Sequence, residues 1–77
     1  MIGTLEPVAP GPAVPGTGIG FVNNYGLAAI IRITGSFTSL TIGGATVTGS
    51  LQLVLPGETI TIVFPSTSPT WQWFLLT

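Results

Sequence analysis

Any chemistry in this chain must come from three charged side chains, Glu6, Arg32 and Glu58, because its 77 residues include no Lys, Asp, His or Cys. A carboxylate acts as a general acid or base only when it is poised beside a substrate. Glu58 directly follows Pro56-Gly57 and reads as a solvated turn residue, while Glu6 sits in a proline-rich stretch. A Ser or Thr nucleophile needs an activating base such as His or Lys, and neither is present. A structural metal calls for Cys, His or gathered carboxylates, and the two Glu lie far apart. No catalytic residue, metal ligand or cofactor site is expected.

Two further groupings bear on binding. Gly16-Thr17-Gly18-Ile19-Gly20 has the outline of a phosphate loop, but it lacks the flanking strand and helix and the Lys-Ser/Thr pair that hold a phosphate. It reads as a hinge. Trp71-Gln72-Trp73 offers two indoles at strand spacing, and Trp is favoured as an interface anchor. A carbohydrate platform would want polar neighbours, for which Asn23, Asn24 and Gln72 are available. In so small a chain, at least one Trp is expected in the core.

Arg32 is the single basic residue. Nucleic-acid binding by counterion release takes several Lys or Arg on one face, so no nucleic-acid partner is expected. Set mid-strand between Ile31 and Ile33, Arg32 has two readings. Facing solvent, it protects a sheet edge or aids solubility. Facing another chain, it pairs with Glu6 or Glu58 of a neighbour, or with an acidic group of a different partner.

The elements that must position these residues carry an unusual composition. Charged residues make up 4% of the chain against 45% hydrophobic ones, where a soluble domain carries charge on about a quarter of its positions. A surface so poor in charge is expected to be covered by other protein. The stretch 33–57 is charge-free but alternates with Thr, Ser and Gly, and does not supply the roughly 20 apolar residues of a spanning helix; no membrane partner is expected. Met1-Ile2-Gly3-Thr4 shows neither a secretory h-region nor the glycine after Met needed for myristoylation.

Two regions follow. Residues 1–20 hold Pro7, Pro10, Pro12 and Pro15 among five glycines, and read as an extended, polyproline-like arm. That arm is either disordered in the isolated protein or ordered on assembly, with Val8, Pro10, Pro12 and Val14 as its candidate contacts. Residues 21–77 read as an all-β domain. Strands are expected at 27–34, 37–42, 45–48, 51–55, 59–64 and 71–76, separated by Gly35-Ser36, Gly43-Gly44, Gly49-Ser50, Pro56-Gly57 and a Pro65–Pro69 loop. About six short strands at this spacing predict a small antiparallel sandwich or barrel with almost no helix. Leu27, Ala29, Ile31 and Ile33 are expected on one face of their strand, with Ala28, Ile30, Arg32 and Thr34 on the other, and Ile60, Ile62 and Phe64 are expected to face inward. The last strand is apolar on both faces, so Trp73 and Phe74 join Arg32 as candidate partner contacts.

Asn23-Asn24-Tyr25-Gly26 ahead of Ala28-Ala29-Ile30-Ile31-Arg32-Ile33, then Leu40-Thr41-Ile42-Gly43-Gly44, the turn Leu55-Pro56-Gly57-Glu58-Thr59-Ile60 and the ending Ser68-Pro69-Thr70-Trp71-Gln72-Trp73 form a layout over residues 21–76. It resembles that of small β-rich virion proteins of tailed bacteriophages. The resemblance implies a capsid-surface decoration or cement protein that bridges major capsid protein subunits, as a homo-oligomer with a trimer favoured. The alternative is a head-fibre or tail-associated module that binds a host-surface glycan, which predicts an exposed Trp71 or Trp73.

Overall fold

The computed structural model describes residues 4–77, so Met1, Ile2 and Gly3, read above for signal and lipidation motifs, lie outside the described residues. The described residues are all-β, with eight strands among them: β1 (Leu5–Pro7), β2 (Gly20–Val22), β3 (Ala29–Thr34), β4 (Ser39–Ile42), β5 (Ala45–Val47), β6 (Leu51–Val54), β7 (Thr59–Val63) and β8 (Thr70–Leu76). They form two four-stranded sheets, ordered β1-β8-β3-β6 and β2-β7-β4-β5, with every pairing antiparallel. The sheets do not close into a barrel.

Six strands fall where the alternating apolar runs place them, and two more, β1 and β2, come from the region of the arm and its junction. The segment 4–20 thus contributes β1 and the first residue of β2 to the two sheets. Leu5, Glu6 and Pro7 pair with Leu76, Leu75 and Phe74 at the edge of the first sheet, a position that tolerates the missing N–H of Pro7. The Val8 N–H continues this contact by donating to the Trp73 carbonyl at 2.9 Å. Farther on, the Gly18 N–H donates to the Ile62 carbonyl at 3.0 Å, and the Phe64 N–H donates to Thr17 Oγ1 at 2.8 Å. The segment crosses from one sheet to the other and is tied to both.

Alternation puts one face of each sheet into a common core of Ala29, Ile31, Ile33, Val54 and Trp73 from the first sheet and Leu40, Ile42, Ile60 and Ile62 from the second. Val8, Val14, Phe21, Tyr25, Phe64, Trp71 and Leu75 pack around it, half-buried. Phe21 bridges the layers, its ring 5.5 Å from Trp71 and 5.2 Å from Trp73 in edge contacts, the arrangement that aromatic quadrupoles favour.

Turn chemistry sets the register. Gly43 and Gly44 have φ of 60° and 85°, the paired positive values of a two-residue hairpin turn. A Cβ on Gly43 would also sit 2.5 Å from Glu58 Oε2. Gly57 has φ of 84°, and the Glu58 N–H donates to the Leu55 carbonyl at 3.1 Å, which makes Leu55-Pro56-Gly57-Glu58 a type II turn.

Candidate functional site

Cross-strand partners in a ladder project to the same side of the sheet, so the register of the first sheet reads out its outward face row by row. One row runs across all four strands as Pro7, Phe74, Ile30 and Leu53. On one side of it lies the pair Leu5 and Leu76. On the other lies Gln72, Arg32 and Leu51, and beyond that Thr70 and Thr34. The face therefore grades from fully apolar, through a single cation, to polar.

Three of its leucines are open to solvent, Leu51 at 64%, Leu53 at 50% and Leu5 at 49%, while Ile30, Phe74 and Leu76 are half-buried. Leu5, Ile30, Arg32, Leu51 and Phe74 surround a shallow depression of about 330 Å³. On the other side of Arg32 lies a second depression, of about 530 Å³, bordered by Val8, Ala9, Pro10 and Gly11, by Thr34 and Thr70, and by Trp71 and Gln72. The Arg32 guanidinium stands between the two and lies over the Phe74 ring, 5.9 Å from its centroid, within cation–π range.

The outward face of the second sheet differs in kind. Its longest row is Gly20, Thr61, Thr41 and Thr46, flanked by the pairs Val22 and Thr59, and Val63 and Ser39. Hydroxyls dominate there and leucine is missing. Burying apolar area is worth about 25 cal/mol per Å², so the leucine face is the one with the larger drive to be covered.

The charged residues are not gathered into a site. Glu58 is committed to its own turn, where Oε1 accepts the Leu55 N–H at 2.8 Å. Glu6 alternates with Leu5 and Pro7 along β1, in register with inward-facing Leu75, and so projects to the other side of the edge strand. Among the described residues, Arg32 has no carboxylate partner.

Of the residues expected to contact a partner, the structure brings Arg32 and Phe74 together on the leucine face, with Val8 and exposed Pro10 across the larger depression. Pro12 and Val14 are occupied within the molecule. The Pro12 carbonyl accepts the Trp71 indole N–H at 2.6 Å, and Val14 packs on the core beside Val8. Trp73 is a correction: at 0% exposure it is core, because β8 pairs on both edges and turns its odd-numbered residues inward. Buried Trp73 and half-buried, arm-bound Trp71 do not form a two-indole platform. Asn23 is likewise fully buried and unavailable to a sugar.

Alternation places Ile30 with Arg32 and Leu76 with Phe74, but sequence reasoning missed Leu5, Leu51 and Leu53 as residues of the same face. The signal was present in Leu51-Gln52-Leu53-Val54, a strand apolar on both sides. Since Leu51 is solvated and outside the core, Leu51→Ser is expected to change stability by no more than about 0.5 kcal/mol, the usual range for surface substitutions, as read by denaturant unfolding.

Compared with family models, with curated proteins and with solved structures, the chain matches none.

Proposed function

We propose that this protein is a structural component of a virion, a capsid decoration or cement protein that seats the leucine face of its first sheet on major capsid protein subunits. The reading places it at the capsid surface, as a homo-oligomer with a trimer favoured. The observation that carries the proposal is the row Pro7, Phe74, Ile30 and Leu53, apolar across an entire outward sheet face, in a chain with 4% charged residues. A contiguous exposed apolar patch rimmed by polar residues marks a protein contact. Burial of that patch stabilises both partners, and it asks for no titratable group. The layout over residues 21–76 and its resemblance to small phage virion proteins select the capsid as the surface covered.

The test is electron microscopy of purified particles together with co-sedimentation of the protein with capsids. Density for this chain on the shell, in a copy number matched to the lattice, is expected. Leu53→Glu is expected to stay folded and lose capsid binding, because it places a charge at the exposed β6 end of the apolar row. A shell without this chain, or undiminished binding by Leu53→Glu, overturns the proposal. Removing residues 1–15 is not an equivalent test. It strips β1 from β8 and the Pro12 carbonyl from Trp71, so the truncated protein is expected to show solvent-shifted Trp fluorescence and a lower unfolding midpoint even without capsids.

A further inference from the structure

We infer that Arg32 is the specificity determinant of the leucine face, and that the surface docking there presents an Asp or Glu carboxylate on a protruding segment that enters the depression between Arg32 and Val8–Gly11. The inference rests on the docking role proposed above and names the chemistry of the partner.

The first argument is charge complementarity. Arg32 is the only cation in the chain, it is exposed, and it lies on the outward face between the apolar side chains of Leu5, Ile30, Leu51, Leu53, Phe74 and Leu76 and the polar ones of Gln72, Thr34 and Thr70. Covering that face with purely apolar protein would bury the guanidinium without a counter-charge, a strongly unfavourable step. Its own molecule offers no remedy, since Glu58 is engaged by the Leu55 N–H and Glu6 projects to the opposite side of β1.

The same facts exclude a two-fold copy, leucine face against leucine face, as the occupant. A two-fold contact between two leucine faces brings no carboxylate side chain to either Arg32, because neither Glu lies on the face. The area also falls short. Four strands about 4.8 Å apart over about 20 Å of length give a face of roughly 400 Å², half of the ~800 Å² per partner of a standard stable interface. A flat copy cannot add to this, whereas a protruding segment can. The depression of about 530 Å³ carries Thr34, Thr70 and Gln72 to hydrogen-bond a polar backbone, and Val8 and Pro10 to pack on it. An Arg fork binds a carboxylate through two parallel N–H donors, and the Phe74 ring beneath it orients the fork.

Two experiments test this. In the first, capsid binding is measured for the wild type, Arg32→Lys, Arg32→Gln and Arg32→Glu at low and high salt. Arg32→Gln is expected to weaken binding by at least about 30-fold, the lower end for truncating one partner of a desolvated charge pair. Arg32→Lys should fall between Gln and wild type, Arg32→Glu should bind least, and only the wild type and Arg32→Lys should be markedly salt-sensitive. Undiminished binding by Arg32→Gln, with binding still lost in Leu53→Glu, overturns the inference and leaves the docking role standing.

The second experiment needs no capsid, so it separates the two failures. Hexanoate and hexanol are titrated against the protein by NMR. Hexanoate is expected to shift the Arg32 side-chain N–H and the Phe74 ring resonances at lower concentration than hexanol, a difference that Arg32→Gln abolishes. Equal responses to the two probes overturn the inference. So does a micromolar dimer in sedimentation velocity that Leu53→Glu dissolves.

Discussion

Asn23→Asp is expected to cost about 3–5 kcal/mol of stability at neutral pH, the range for leaving an uncompensated charge in a protein interior. Asn23 is fully buried, yet it is the best-connected polar side chain in the molecule. Its Nδ2 donates to the Leu27 carbonyl at 2.9 Å and to the Val54 carbonyl at 3.0 Å, while Oδ1 accepts the Tyr25 N–H at 3.2 Å. Its backbone is held as well: the Asn23 N–H donates to the Glu58 carbonyl at 2.9 Å, and the Gly57 N–H donates to the Asn23 carbonyl at 2.8 Å. One residue thus joins the end of β2, the loop leading to β3, the end of β6 and the turn before β7. That turn is where the chain passes from the first sheet to the second.

The substitution is nearly isosteric but replaces a two-hydrogen donor with an oxygen facing two carbonyl oxygens. Burial and those dipoles disfavour the charged form, so the new carboxyl titrates above its unfolded value. The sign follows from linkage. A group with a raised folded-state value binds its proton more tightly when folded, so the variant is most stable at low pH and loses stability as pH rises through that value. Asn23→Ala, which leaves the two carbonyls unpaired without adding charge, should cost less at neutral pH and show no such pH dependence. Chemical denaturation at two pH values decides it, and an Asn23→Asp variant as stable as wild type at neutral pH would refute this role.

Residue 23 also marks where the sequence stops being legible. Six of the strands could be read because period-two alternation bounded by Gly and Pro has few other physical solutions. The Gly43-Gly44 and Pro56-Gly57 turns could be read because only glycine takes their positive φ values without strain. β1 and β2 could not. Three residues each, they lack the two-glycine hairpin that marked the equally short β5, and Leu5-Glu6-Pro7 breaks the pattern with a proline that an edge position makes harmless. Asn23 looked like loop polarity or a sugar ligand, since nothing local announces that its partners, Val54 and Glu58, come from the far end of β6 and the turn after it. Arg32 and Phe74 were legible as surface candidates from their own strands. The apolar row they belong to required the register between β1, β8, β3 and β6, a long-range property set by the whole core.

Trp73→Ala is expected to lose about 3–5 kcal/mol, the range for emptying a large aromatic site in a core. Trp73 lies on β8 between β1 and β3 at 0% exposure, with Phe21, Trp71 and Tyr25 rings 5.2 Å, 5.4 Å and 5.7 Å from its own. Unlike Trp71, whose indole N–H reaches the Pro12 carbonyl, Trp73 has a buried Nε1 with no hydrogen-bond partner. An unmet buried donor costs about 1–3 kcal/mol, so Trp73→Phe removes that penalty while keeping a ring for Phe21 and Tyr25 to pack on. The Phe variant should therefore lose clearly less stability than the Ala variant in thermal or denaturant unfolding. Equal losses would mean that the indole N–H is satisfied after all. The pair of variants also bears on assembly. A core residue influences docking only through folding, so Trp73→Phe, once folded, should bind capsids as the wild type does. Loss of binding in a folded Trp73→Phe protein would move the contact surface off the leucine face and onto the inner side of β8.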